Sequence, residues 1–473
     1  MPLNRSLALD EFGTFWTIHA GPSEFLSRQT AFPNSPPLYS FIAWLGWQLG
    51  GKHEYALRLP SVIALGIAMV LLYRLADYLF GSRAALPSVI VFICTKPIIL
   101  AATNARPYAF VILAIMASTL ALVKWLDSGR LTWAAAYAVS AAFIAYLQYL
   151  TLPVLLAHAV FAALRIRNPT LLRTTPLRVK HLLLLASATI VLMLPAVPPL
   201  LTIFRGRHEH VFAPVPSILR PTFVLFPPYL LGGIAIGLVA GWLVGKRPSL
   251  RFAWTSVATL PIAMTLIPTL LAFAVSILTP MRIFVPRYVI GTFAGIALLS
   301  GWAIGNLQPR VTRAVVLACV MMTALLAFGN PGRFWPVHDP EDFRGAIQAI
   351  NRTVGTKPVP VLLRSIWIEL FASKMDYEKE LPGWVTAPLL FYPVKGQVLP
   401  VSDPGDPSQR RYFEKVVAPA IEREGRFVLL GIENSDRVSP WIRERFADYT
   451  SRPLGDFGSI SAILYERRPE SVR

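Results

Sequence analysis

Apolar windows of 18 to 25 residues recur along the chain from about residue 57 to residue 329. Each is long enough to cross roughly 30 Å of hydrocarbon at about 1.5 Å per residue, so each predicts a transmembrane helix. Ten spans are expected, over residues 57–80, 84–103, 107–125, 132–149, 150–164, 182–203, 222–245, 253–279, 287–306 and 312–329. The stretch 150–164 is the shortest and pairs with its predecessor as a hairpin. Within 222–245, Gly233, Gly237 and Gly241 repeat every four residues, a small-residue face that lets two helices approach closely.

Two aromatic stretches precede the first span. Residues 12–28 carry Phe12, Phe15, Trp16, Ile18, Phe25 and Leu26 and are too polar to cross. Residues 36–50 open on Pro36-Pro37, which suits a helix start, and continue through Trp44, Trp47 and Leu49. Both are expected to lie in the outer membrane–water interface, with a short transmembrane span as the alternative for 36–50. After Gly329-Asn330-Pro331 the pattern turns charged and mixed. Helices are expected over 341–354 and 411–424, and buried strands over 359–363, 427–432 and 461–465. The expected fold is therefore an α-helical polytopic membrane protein of about ten transmembrane helices with a small C-terminal α/β domain. The membrane domain takes residues 1–330, of which 1–56 form an outer loop with interfacial helices, and the soluble domain takes 331–473. The soluble part shows no nucleotide-binding glycine loop; it is expected to shape the substrate or handle an acceptor, or to be purely structural.

Composition agrees, with 54% hydrophobic and only 15% charged residues, against roughly 25% charged in an average soluble domain. The net charge of +19 would suggest nucleic acid were it not for its placement. Basic residues fall in alternate loops, at Arg83, at Lys124 and Arg130, at Arg165 to Lys180, at Lys246 to Arg251, and at Arg310 and Arg313. By the positive-inside rule these loops are cytoplasmic, so both chain ends and the loops near 104–106, 204–221 and 280–287 are outside. Cys94 and Cys319 both fall in predicted spans and imply no disulfide framework. Residues 1–9 hold no apolar signal-peptide core.

Candidate chemistry gathers on the outer side. Asp10-Glu11 precedes the first aromatic stretch, where a carboxylate could take a proton from an attacking hydroxyl or amine, or hold a divalent cation such as Mg²⁺ or Mn²⁺ against a phosphate. A solvated acidic pair near a chain end is the plain alternative. Arg106, in Asn104-Ala105-Arg106-Pro107-Tyr108, lies at an outer turn where a guanidinium can grip phosphate or merely snorkel. Arg58, Arg282, Arg287 and Tyr288 stand at other outer helix ends. Lys96 beside Pro97 falls inside a span, where a cation is costly and functional by default. Carboxylates and arginines around an outward-facing cavity at membrane level suit an anionic lipid-linked substrate, for transfer or for transport.

The run from Leu9 to Arg83 resembles the integral-membrane glycosyltransferases of the GT-C class. The closest branch is that of protein O-mannosyltransferases, the lipid A aminoarabinose transferase and lipopolysaccharide galacturonosyl transferases. The matching pieces are Asp10-Glu11, Pro36-Pro37-Leu38-Tyr39, Gly51 with Glu54-Tyr55-Ala56-Leu57-Arg58-Leu59-Pro60-Ser61, Ala105-Arg106-Pro107-Tyr108 and Pro286-Arg287-Tyr288. The resemblance implies transfer of a sugar, with inversion, from a polyprenyl phosphate to a periplasmic acceptor (glycan, lipid or protein), in a bacterial inner membrane. It implies Asp10 as catalytic base, Glu11 as its assistant or a cation ligand, and Arg106 and Arg287 as partners of the lipid phosphate. Arg58, Lys96, Tyr108 and Tyr288 complete the expected substrate-binding set. The expected partners are the donor, membrane lipid and the acceptor, with no nucleic acid. The resemblance also implies a transmembrane helix ahead of the acidic pair, where this sequence has nine residues. A start codon placed too far downstream accounts for that, or a chain without its first span. A lipid transporter or flippase and a catalytically inactive scaffold are the competing functions, although no internal repeat of the transporter kind is present.

Overall fold

The computed structural model describes residues 3–25, 27–28, 37–167, 177–205, 214–243, 248–250, 255–328, 341–355, 359–364, 383–402, 405, 407–432 and 438–469. The chain forms two compact units. A membrane unit takes Phe25–Gly51 and Ala56–Phe334, and a soluble unit takes Pro2–Glu24, Lys52–Tyr55 and Trp335–Arg473.

Among the described residues the membrane unit is helical apart from one short antiparallel ladder, Ser249–Leu250 with Leu307–Gln308. Six helices are long and apolar enough to cross a bilayer: Glu54–Phe80, Tyr108–Ser128, Tyr149–Arg167, Val179–Leu201, Ser256–Leu278 and Arg310–Phe328. The predicted span 84–103 is a bent pair instead, Ser82–Ile93 and Lys96–Thr103, meeting at 70°. Proline explains the break. Pro97 has no N–H to return to the preceding turn, so it belongs in the first turn of a new helix, where the structure places it. The remaining predicted spans are shorter apolar helices, Leu131–Leu147, Pro228–Leu243 and Ile290–Gly305. Helix Pro37–Gly50 has 14 residues, about 21 Å of length, less than a hydrocarbon core. It buries Tyr39, Ala43 and Trp47 while exposing Phe41, Leu45 and Leu49. Cys94 and Cys319 are both free thiols.

The glycine stripe packs as its spacing predicts. Helix Pro228–Leu243 lies against Arg310–Phe328, and a Cβ added at Gly237 would stand 2.5 Å from the Val316 Cα. At Gly233 it would stand 2.7 Å from the Val320 Cα, and at Gly241 2.8 Å from the Thr312 Cγ2. Thr323 also donates to the Tyr229 carbonyl at 2.8 Å, tying the two helices together. One residue counted among the topological charges has a different place. Arg165 is fully buried and pairs with Asp127, which also accepts from the Tyr78 hydroxyl at 2.7 Å. A partner 38 residues away in sequence, on another helix, let a loop-edge cation enter the bundle.

The soluble unit is an α/β fold. Its strands are β1 (Val359–Arg364), β2 (Gly396–Pro400), β3 (Arg426–Ile432), β4 (Tyr449–Pro453) and β5 (Ile460–Arg467), in the sheet order β2-β1-β3-β5-β4. The first three run parallel, with Val361 opposite both Val398 and Val428. β5 is antiparallel to β3 and β4, and Phe427 stacks on Tyr465 at 4.6 Å. Every residue of β1 is buried, as the middle of a parallel sheet requires. Helix Phe343–Val354 buries Phe343, Ile347 and Ile350 as its periodicity predicts, and Asp342 caps it by accepting the Gly345 N–H at 2.8 Å. The helix expected over 411–424 starts earlier, at Pro407, and includes a π-turn over Phe413–Val417.

The first aromatic stretch contributes to this core. Helix Leu9–His19 buries Phe12, Phe15, Trp16 and Ile18. Phe12 meets Phe343 edge-on at 5.2 Å, and Phe15 meets Phe391 at 4.9 Å. Its buried positions run continuously from Glu11 to Ile18 and so leave no solvent face, whereas an interfacial helix needs one polar side.

Candidate functional site

In the soluble unit the acidic pair begins helix Leu9–His19, where carboxylates favour the positive end of the helix dipole. The two acids differ. Glu11 is fully buried, and its Oε2 accepts the Ala8 N–H at 2.9 Å, closing its own first turn. Asp10, one position earlier, is half-buried. Glu341 joins them: its Oε2 accepts the Leu9 N–H at 2.7 Å. Burial pushes the Glu341 carboxyl above its ordinary range; the Leu9 N–H opposes this, while the fields of Asp10 and Glu11 add to it. Sequence reasoning missed Glu341, although an acid just before an Asp-capped helix was there to be seen.

A second network fixes this N-terminal segment. Glu54 accepts from Arg344 at 3.0 Å and from the Tyr392 hydroxyl at 2.7 Å. Tyr392 in turn accepts the Leu7 N–H at 3.1 Å, and Arg344 donates to the Asn4 carbonyl at 2.7 Å. Burial, then the Glu54 charge, holds the Tyr392 phenol well above its usual range.

In the membrane unit, residues nearly 200 positions apart converge. Arg106 is buried in the turn before helix Tyr108–Ser128, which Tyr108 begins. Arg287 and Tyr288 lie in the turn before helix Ile290–Gly305. The Arg287 guanidinium sits 5.3 Å from the Tyr288 ring centre. Burial pushes the Tyr288 hydroxyl up to about 12; the neighbouring Tyr108 adds to the rise, and Arg287 and Arg106 pull against it. Tyr288 thus lies within electrostatic reach of Tyr108, Arg287 and Arg106. The Tyr108 hydroxyl is buried there with no hydrogen-bond partner among the described residues. A buried, unmade hydrogen bond is costly and calls for a ligand or another occupant.

The other predicted residues differ in place. Arg58 is fully buried in helix Glu54–Phe80, one turn before Ser61, whose hydroxyl reaches the Arg106 carbonyl at 3.5 Å. Lys96 is exposed at the bend between Ser82–Ile93 and Lys96–Thr103 instead of deep inside a continuous span. Arg282 donates to the Ser276 and Thr279 carbonyls at 2.5 Å each, a helix C-terminal cap. Beside Phe110 runs an apolar groove of about 380 Å³, lined by Leu38, Ile42, Leu113, Ala117 and Phe143 among others.

Glu11 is engaged by its own backbone, and among the described residues no group of three or more His, Cys, Asp or Glu side chains is gathered as ligands would be.

The multi-span helical unit and the small α/β unit together make a fold that solved structures share. Residues 34–197 match the family model of dolichyl-phosphate-mannose-protein mannosyltransferases. The whole fold is similar to ArnT from Cupriavidus metallidurans in the apo state, at a TM-score of 0.55 and 12% identity over 98% of this chain and 94% of that one. The same protein bound to undecaprenyl phosphate gives a TM-score of 0.51 at 11% identity, with coverage again 98% and 94%. No curated protein matches the sequence. The family model and the fold both agree with the resemblance that the ordered motifs carry.

Proposed function

We infer that the protein is a glycosyltransferase that moves a sugar from a polyprenyl phosphate to an acceptor on the periplasmic face of a bacterial inner membrane, with inversion. The observation that carries this reading is the Arg106–Tyr108–Arg287–Tyr288 cluster with its unpaired Tyr108 hydroxyl. Two guanidiniums and two phenols in a buried setting suit a phosphate monoester or diester, which accepts many hydrogen bonds and carries charge. The groove beside Phe110 suits the first isoprene units of such a lipid. The ArnT structure holding undecaprenyl phosphate lends the same class of donor by likeness of fold.

Asp10 takes the proton of the attacking acceptor hydroxyl or amine. The new bond forms at the anomeric carbon from the face opposite the phosphate, and the glycosidic C–O bond breaks with its electrons on the leaving phosphate. Charge grows on that phosphate as the bond breaks, so fixed cations in a dry site stabilise the transition state more than the ground state. Arg106 and Arg287 have that role, with Arg58 and Lys96 contributing positive field. Glu11 keeps the Asp10 turn in shape by accepting the Ala8 N–H.

Binding tests the cluster. Arg106→Gln and Arg287→Gln are each expected to weaken undecaprenyl phosphate binding about ten- to a hundredfold, the size of a lost charge-assisted hydrogen bond. Tyr108→Phe is expected to weaken it less. Unchanged affinity in all three variants would place the phosphate elsewhere.

A further inference from the structure

At the opposite end of helix Tyr108–Ser128 from the arginine–tyrosine cluster lies a second, larger cavity, of about 660 Å³. That is within the usual ~300–1,000 Å³ of a binding site for one small molecule. It opens where three helices meet: the end of Tyr108–Ser128, the start of Leu131–Leu147 and the start of Val179–Met193. Its wall is apolar, made by Trp125, Leu131, Ala134, Ala138, Leu184 and Leu185. The space exists because Ala134 and Ala138, one turn apart, present only methyl groups to it. Leu183, Leu184, Ile190 and Val191 are exposed on helix Val179–Met193, which places the cavity beside the lipid-facing surface of the bundle.

The mouth is of opposite character. Ser128, Gly129 and His181 line it. Arg130 directly follows Gly129, Lys180 directly precedes His181 and Arg178 lies two residues before Lys180; all three cations are exposed. The His181 Nδ1 accepts the Arg178 N–H at 2.9 Å, which orients the ring and leaves Nε2 for another partner. Asp127 is the only carboxylate on the three helices, and it is taken by Arg165 and Tyr78. Three exposed cations thus neighbour, in sequence, the residues that line this apolar cavity, with no acid on those helices left to balance them. The helix ends set them at head-group depth, on the membrane face that carries the basic loops.

We propose that this cavity is a binding site for an anionic glycerophospholipid, with one acyl chain in the apolar cleft and the phosphate on Arg130, Arg178, Lys180 and His181. Water is a poor occupant, because the wall offers it almost no hydrogen-bond partners. A hydrocarbon chain fills such a wall, and the phosphodiester supplies the charge that the mouth lacks. A zwitterionic lipid brings its own cation to the same place and gains less. The site is separate from the proposed donor cluster and does not depend on the transferase reading.

The test uses the full chain, purified in detergent and supplied with phosphatidylglycerol, phosphatidylcholine or inorganic phosphate. Native mass spectrometry counts retained lipid, and thermal melting reads stabilisation. The wild type is expected to retain one phosphatidylglycerol and to melt higher with it than with either alternative. Arg178→Gln and Lys180→Gln should each weaken retention about fivefold, the effect of one cation near a lipid phosphate. Ala138→Leu, which fills the cleft and changes no charge, should lose the lipid while the cations stay. The exposed Arg178 and Lys180 variants carry the test even if Ala138→Leu misfolds. Equal retention of both lipids by the wild type, or undiminished phosphatidylglycerol in the charge variants, overturns the proposal. The same melting shift from inorganic phosphate alone would reduce the site to an anion site and overturn the lipid assignment.

Discussion

The Glu54 carboxylate binds Arg344 and the Tyr392 hydroxyl at once, and through them the backbone of Asn4 and Leu7. It is nearly buried, so its hydrogen bonds are charge-assisted and poorly screened. Glu54→Ala is expected to destabilise the soluble unit by about 2–3 kcal/mol, measured by denaturant melting, because the Tyr392 hydroxyl is left in a buried site without its acceptor. Glu54 was legible only as one letter of a motif, since both of its partners lie about 300 residues away in sequence. Glu341 makes a pH-dependent prediction. Burial raises its carboxyl above the unfolded value, with Asp10 and Glu11 adding to the rise. At low pH it is protonated in both states and costs nothing; as pH rises through its folded value, the buried charge erodes stability. Glu341→Gln keeps an oxygen for the Leu9 N–H but carries no charge. Wild type and variant should therefore melt alike at low pH, and the variant should be the more stable at neutral pH. A variant less stable at neutral pH would mean that the Glu341 charge itself is stabilising.

Helix pairing belongs to the next scale. The Gly233–Gly237–Gly241 stripe was legible because a period of four on an apolar helix has one structural use, close approach, and the partner residues Val320, Val316 and Thr312 fill it. A methyl added at Gly237 meets the Val316 backbone, not a movable side-chain tip. Gly237→Ala should cost about 1–3 kcal/mol in thermal or denaturant stability, and Gly237→Leu should separate the two helices. The bend at Pro97 was missed because hydropathy sums over the window and ignores a missing N–H. Arg165 was misplaced for a related reason. Charge counting assigns a cation to a loop, whereas pairing with Asp127 draws it inside. Arg165→Ala should destabilise the membrane unit by about 3–5 kcal/mol by leaving Asp127 without its cation, and Arg165→Ala with Asp127→Ala should recover much of that loss.

For the molecule as a whole, the helical membrane unit and the α/β unit were readable because each imposes its own period: long apolar windows in one, short buried runs in the other. Strands β2 and β4 left no such trace. β2 has five residues including a glycine and a proline, and β4 is a polar edge strand ending in proline, composition that blunts an exposed edge. The burial of helix Leu9–His19 was hidden for another reason: its partners Phe343 and Phe391 are joined to it only by the fold. The same holds for the cluster of Arg106, Tyr108, Arg287 and Tyr288, whose members were recognisable singly while their convergence was not. Sugar transfer that depends on Asp10 is the most direct test of the proposed activity. Membranes containing the wild-type chain or Asp10→Asn should be supplied with radiolabelled polyprenyl phosphate sugars and the label followed into acceptor fractions. Transfer by wild type, reduced at least about a hundredfold by Asp10→Asn as the loss of a general base requires, is the predicted result. Equal transfer by both would remove Asp10 from the mechanism, and donor moved across the membrane with its sugar still attached would make the protein a transporter.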